Sequence, residues 1–87
     1  MKNKFILESL ASDLKRVALG LHRRSNAMAE RFLEEALKRK SEVKVKEVKP
    51  YINKILKHLN KNMRSDDALM YSTLIQNYTK STFNYKD

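Results

Sequence analysis

The chain has no cysteine, which excludes a disulfide framework, a thiolate metal site and a cysteine nucleophile. It has one glycine and one proline. A multi-stranded β fold needs a turn every ~8–12 residues, and two such residues cannot supply that many. A single glycine also cannot build a phosphate-cradling loop or the strained elbow of a serine hydrolase. No window approaches the ~18–20 apolar residues of a membrane span. Phe5, Ile6 and Leu7 follow Lys2 and Lys4 as at the start of an export signal, but Glu8 ends that apolar run, well short of the ~7–15 residues required. The chain therefore reads as cytoplasmic, with no membrane partner.

Groups able to carry chemistry are also sparse. The two histidines, His22 and His58, have no His-x-x-x-His or Glu-x-x-His spacing around them, whereas a zinc site takes three or four ligands. Both read as ordinary, partly exposed histidines. Glu34-Glu35 and Asp66-Asp67 are adjacent pairs, so on a helix their side chains diverge by about 100° and do not converge on one atom. Asp66 and Asp67 suit the positive first turn of a helix. Glu34 and Glu35 suit pairing with Lys38 and Arg39 one turn on. No catalytic, metal-binding or cofactor-binding residue is expected, and the chain reads as non-enzymatic.

What is present is helical periodicity and positive charge. With 87 residues there is room for one small domain. Leu7, Leu10, Leu14, Val17, Ala18, Leu21, Met28, Ala29, Phe32 and Ala36 share one arc about 120° wide on a helical wheel. A continuous helix over 4–40 follows. Gly20 then costs it about 1 kcal/mol relative to alanine. The alternative is a break within Gly20-Leu21-His22-Arg23-Arg24-Ser25-Asn26, with Gly20 as a C-terminal cap. Residues 41–49 form a linker. Pro50 opens a second helix over 50–62, with Ile52, Ile55, Leu56, Leu59 and Met63 on one face and Lys54, Lys57 and Lys61 opposite. Ser65 caps a third helix over 66–80, striped by Met70, Tyr71, Leu74, Ile75 and Tyr78, and 81–87 is a tail. The fold class is all-α: a long N-terminal helix plus a two-helix hairpin, forming a helical bundle.

A helix of 37 residues is about 55 Å long, whereas a compact chain of this size is about 30 Å across. The hairpin is too short to cover it. A homodimer is therefore expected, with Leu7, Leu10, Leu14, Val17, Leu21 and Met28 at the interface. The net charge is +9, which favours an anionic partner. The first functional expectation is contact with an unidentified protein partner. The alternative is weak, non-specific nucleic-acid binding through a basic surface of Arg23, Arg24, Lys54, Lys57 and Lys61. Lysine outnumbers arginine thirteen to six, whereas a surface selected for phosphate leans more on the arginine fork, and Glu30, Glu34, Glu35, Glu42 and Glu47 interleave the basic residues of the first helix and the linker, so sequence-specific readout is not expected.

Overall fold

A computed structural model describes residues 2–83. These residues form four helices, α1 (Lys2–His22), α2 (Asn26–Glu42), α3 (Pro50–His58) and α4 (Ser65–Phe83), with one 3-10 turn at Val45–Glu47. No strand occurs among the described residues. The chain is an all-α bundle in which α1 packs against both α2 and α4.

The long helix expected over 4–40 is two helices. The break is a Schellman turn: the Ser25 amide donates to the Gly20 carbonyl at 2.8 Å and the Arg24 amide donates to the Leu21 carbonyl at 3.1 Å. This pair of bonds satisfies two of the carbonyls that the end of a helix leaves open. The residue in the left-handed conformation is Arg24, at φ 59°, not glycine. Gly20 serves a different purpose. A Cβ there would lie 2.8 Å from the Ala29 backbone nitrogen and 3.2 Å from the Ala29 Cβ. The glycine therefore permits the close approach of α2 to α1 just below the turn.

The two helices run antiparallel, since Gly20 meets Ala29 at one end and Asn3 meets Lys44 at the other. Asn3 is buried and clamps that far end: its side-chain NH2 donates to the Lys44 carbonyl at 3.1 Å, and the Lys44 amide donates back to its Oδ1 at 3.0 Å. Ala29 and Ala36, seven residues apart and both buried, form the small-residue face of α2. Phe32 sits half-buried at the edge of the hairpin, with the Arg16 and Arg31 guanidinium groups 5.3 and 5.9 Å from its ring centre. Cations over a ring are attracted by its negative face, so both shield an aromatic that the core covers only in part.

α4 runs antiparallel to α1 on its other side. The Ser72 hydroxyl donates to the Ala11 carbonyl at 2.7 Å in a buried contact, and Ala68 packs with Val17 and Ala18. α3 closes the bundle with Ile52, Ile55 and Leu56. These join Leu7, Leu10, Leu14, Ala36, Ile75 and Tyr78 in the main core, with Val43, Val48 and Leu59 from the flanking segments. The bundle measures 39 × 22 × 18 Å, with a radius of gyration of 12.4 Å, close to the ~12 Å of a compact chain of this length.

That closure removes the surface on which the dimer was expected. Leu7, Leu10, Leu14 and Val17 are buried inside one chain, and Leu21 and Met28 are half-buried at the α1–α2 hairpin. The 55 Å helix that needed a second copy does not exist. Folding the second half of the predicted helix back onto the first provides the cover. The later elements shift less. α3 stops at His58, short of residue 62, because Asn60 takes over the local bonding: its Nδ2 donates to the His58 carbonyl at 2.9 Å and its Oδ1 accepts the Asn62 amide at 2.7 Å. Short polar side chains compete with the helix for backbone partners in this way. α4 starts at Ser65, which is the first helical residue rather than the residue before the helix, and the Asp67 carboxylate reaches back from the first turn to accept the Arg64 amide at 3.3 Å. The helix extends through Phe83, so 81–83 of the expected tail are helical, and the rest of that tail, 84–87, lies outside the described residues.

Candidate nucleic-acid interface

The five basic residues expected from the sequence fall in three places. Arg23 and Arg24 are exposed at the α1–α2 turn. Lys54 and Lys57 are exposed on α3, three residues apart. Lys61 lies beyond the end of α3, so it does not continue a single helical stripe. It borders instead a groove with Glu30, Leu33, Glu34 and Leu37 of α2. A neighbouring groove joins Lys61 to Leu21 and Asn26, which lie on either side of the turn that carries Arg23 and Arg24. Two glutamates beside Lys61 weaken the positive field there.

A stronger concentration lies elsewhere. Between Lys38 and Lys61 the chain has nine basic and two acidic side chains, so this stretch carries +7 of the total +9. It covers the last turn of α2, the 3-10 turn and α3. Lys38, Lys44, Lys46, Lys49, Lys54, Lys57 and Lys61 are all exposed. The two acidic residues are already engaged. Glu42 lies 3.8 Å from the Arg39 guanidinium, and the Glu47 carboxylate accepts from the Asn3 amide at 3.5 Å. None of the seven lysines has an ion pair among the described residues. Apart from Lys61, which has Glu30 and Glu34 beside it, their mutual repulsion is left to solvent and counterions, the condition from which counterion release drives binding to a polyanion.

The fold gathers these charges by turning the chain back at the 3-10 turn. Asn53 of α3 donates to the Val45 carbonyl at 3.2 Å, and Lys40 of α2 donates to the Leu59 carbonyl at 3.3 Å. Lys40, Val45, Asn53, Leu56 and Lys57 then line one open groove of about 270 Å³. Lys44, Lys46 and Lys49 belong to the same connection, whose valines Val43 and Val48 are buried while Lys44 and Lys46 between them are exposed, and Lys38 lies in the last turns of α2 that lead into it. The regional charge excess is countable in the sequence. The helical wheel hides it, because the lysines belong to three short elements rather than to one stripe.

Behind this face lies one buried charge. Asp13 of α1 is 8% exposed, and its Oδ2 sits 3.9 Å from the Arg39 Nε, too far for a hydrogen bond. Burial pushes the Asp13 carboxyl above the usual aspartate range; Arg39 and Arg16 oppose the rise and Glu35 adds to it. Asp13 and Glu42 hold Arg39 at the edge of the basic segment, so Arg39 is less available than the lysines. The histidines stay apart: His22 ends α1, and His58 ends α3 with its Nδ1 2.7 Å from the Lys54 carbonyl. Among the described residues no group of three or more His, Asp or Glu converges on a metal-sized site, and no helix is long and apolar enough to cross a membrane. Compared with protein-family models, curated proteins and solved structures, the chain matches none.

Proposed function

We propose that the chain is a non-enzymatic, cytoplasmic binding module that holds nucleic acid, without sequence specificity, on the face built by the end of α2, the 3-10 turn and α3. The observation that carries this reading is the segregation of charge: seven exposed lysines on one segment with no ion pair among the described residues. Phosphate contacts of this kind typically give dissociation constants of about 10⁻⁴–10⁻⁶ M at physiological salt. The predominance of lysine fits backbone attraction rather than base readout. The test is binding of a labelled duplex across a salt series. Log K should fall with log salt by about 0.9 per phosphate neutralised. Reversing Lys46, Lys54 and Lys57 to glutamate should abolish binding while leaving the helical spectrum intact. Affinity that ignores salt, or survives the triple reversal, removes the proposal.

A second reading, a protein partner, is favoured by a different surface. Leu69, Met70 and Leu74 on α4 are 50, 48 and 39% exposed. Met70 and Leu74 are one turn apart and form an apolar strip on the outside of the bundle. Leu69 lies across a groove from Leu19 of α1. A second copy of the chain is one occupant of such a strip, so self-association belongs here rather than on the buried residues of α1. Replacing Met70 and Leu74 with lysine should then remove self-association without touching nucleic-acid affinity.

A further inference from the structure

Resting on the nucleic-acid reading above, we propose that Tyr51 is a stacking platform for an unpaired base, and that the preferred ligand of the basic face is therefore a single strand. Tyr51 is the second residue of α3 and lies between Lys49 and Lys54. The residue is 47% exposed. The ring stands perpendicular to that of Tyr78, with centroids 5.8 Å apart. Tyr78 is itself buried in the main core. An edge-to-face contact with a buried ring fixes the orientation of the exposed one, so the ordering cost of presenting an aromatic to a base is met before the base arrives.

Among the described side chains, the other aromatics do not offer this arrangement. Tyr71 is partly buried against the core, and the Phe32 ring is covered by Arg16 and Arg31. Phe5 is exposed but lies on α1, outside the basic segment. Tyr51 has the charges that a nucleotide needs beside it. Lys54 is three residues on, with Cβ atoms about 5–6 Å apart on one helix face, and Lys49 precedes the helix as its N-terminal cap residue. A base lying on the ring would have an ammonium group near the phosphate on either side. A duplex keeps its bases stacked and paired, so it can use the lysines but not the ring. Base–aromatic stacking tolerates any sequence because every base has a π-face, in keeping with a surface that has lysines and no reading fork.

The test uses the full chain and two fluorescein-labelled probes of equal length, oligo(dT) and a duplex, followed by anisotropy. Wild type should bind oligo(dT) more tightly than the duplex. Tyr51→Leu should lose roughly 5- to 150-fold on oligo(dT), the ~1–3 kcal/mol of one stacked base, and change little on the duplex. Tyr51→Phe should retain the preference. In the wild-type protein, independently of any variant, the Tyr51 ring-proton resonances should move upfield on adding oligo(dT). Unmoved ring resonances, or equal single-strand affinity for wild type and Tyr51→Leu, would overturn the stacking role while leaving the salt-dependent basic face intact. Failure of both probes to bind would overturn the basic face itself.

Discussion

Gly20 lies at a close approach of α1 to α2, and this reverses the effect expected of replacing it. In an isolated helix Gly→Ala gains about 1 kcal/mol. Here the added Cβ would meet the Ala29 backbone at 2.8 Å, and backbone cannot swing aside as a flexible side chain would. Gly20→Ala should therefore destabilise by about 1–3 kcal/mol, the usual cost of overpacking, measured by urea unfolding; a stabilised variant would show that the hairpin is looser. Four residues on, Arg24 holds φ 59°, which costs a side-chain-bearing residue about 1–2 kcal/mol relative to glycine. Arg24→Gly should stabilise by about 0.5–1 kcal/mol after the greater freedom of glycine in the unfolded chain is counted. A loss of stability would mean that the Arg24 side chain makes contacts that matter more than its strain. Asp13 gives a pH signature. Its folded-state pKa is raised above 3.8, so between 3.8 and that higher value the folded chain holds a proton that the unfolded chain has released. Its contribution to stability therefore falls as pH rises through that window and is constant above it. Asp13→Asn should flatten this component; a wild type whose stability instead rises with pH relative to the Asn variant would show that the ion pairs with Arg39 and Arg16 outweigh burial.

Among the elements, α3 was the most legible; on α4 the expected stripe holds at Ile75 and Tyr78 but leaves Met70 and Leu74 exposed. Ile52, Ile55, Leu56 and Leu59 fall on one face and are buried together, and Pro50 stands in the first turn, where its missing amide costs nothing. The break between α1 and α2 was harder to place for a physical reason. The turn that closes this helix usually ends in glycine; here Arg24 takes the left-handed position, and the only glycine lies earlier, at the crossing. The phase shared by the two halves of the apolar arc pointed to one straight helix. In the bundle the same residues serve two helices that face each other, because the arc of each turns toward the common core. The end of α3 was missed because Asn60 acts through its own side chain, which hydrophobic spacing does not register. Asn60→Ala removes both bonds, and should cost about 0.5–2 kcal/mol, the typical range for losing a capping side chain. An unchanged urea midpoint would show that Leu59, buried in the core, ends the helix unaided.

At the scale of the whole molecule, a single chain closes its own bundle, and the expected mass at micromolar concentration is 10.3 kDa. Light scattering that returns twice that mass would place a second copy on the α4 strip of Met70 and Leu74. The candidate site was legible only in part. Lys54 and Lys57 lie on the basic face, but Arg23 and Arg24 belong to a separate turn, and Lys38, Lys44, Lys46 and Lys49 enter the site only once the chain folds back at Val45–Glu47. The measurement that decides most directly is an amide NMR titration of the labelled protein with oligo(dT) at low salt. Shift changes should cluster at residues 38–61, centred on α3 and the 3-10 turn, and should reverse on adding salt. Changes centred on the exposed side of α4, or no changes at all, would contradict the assignment of nucleic acid to the basic face.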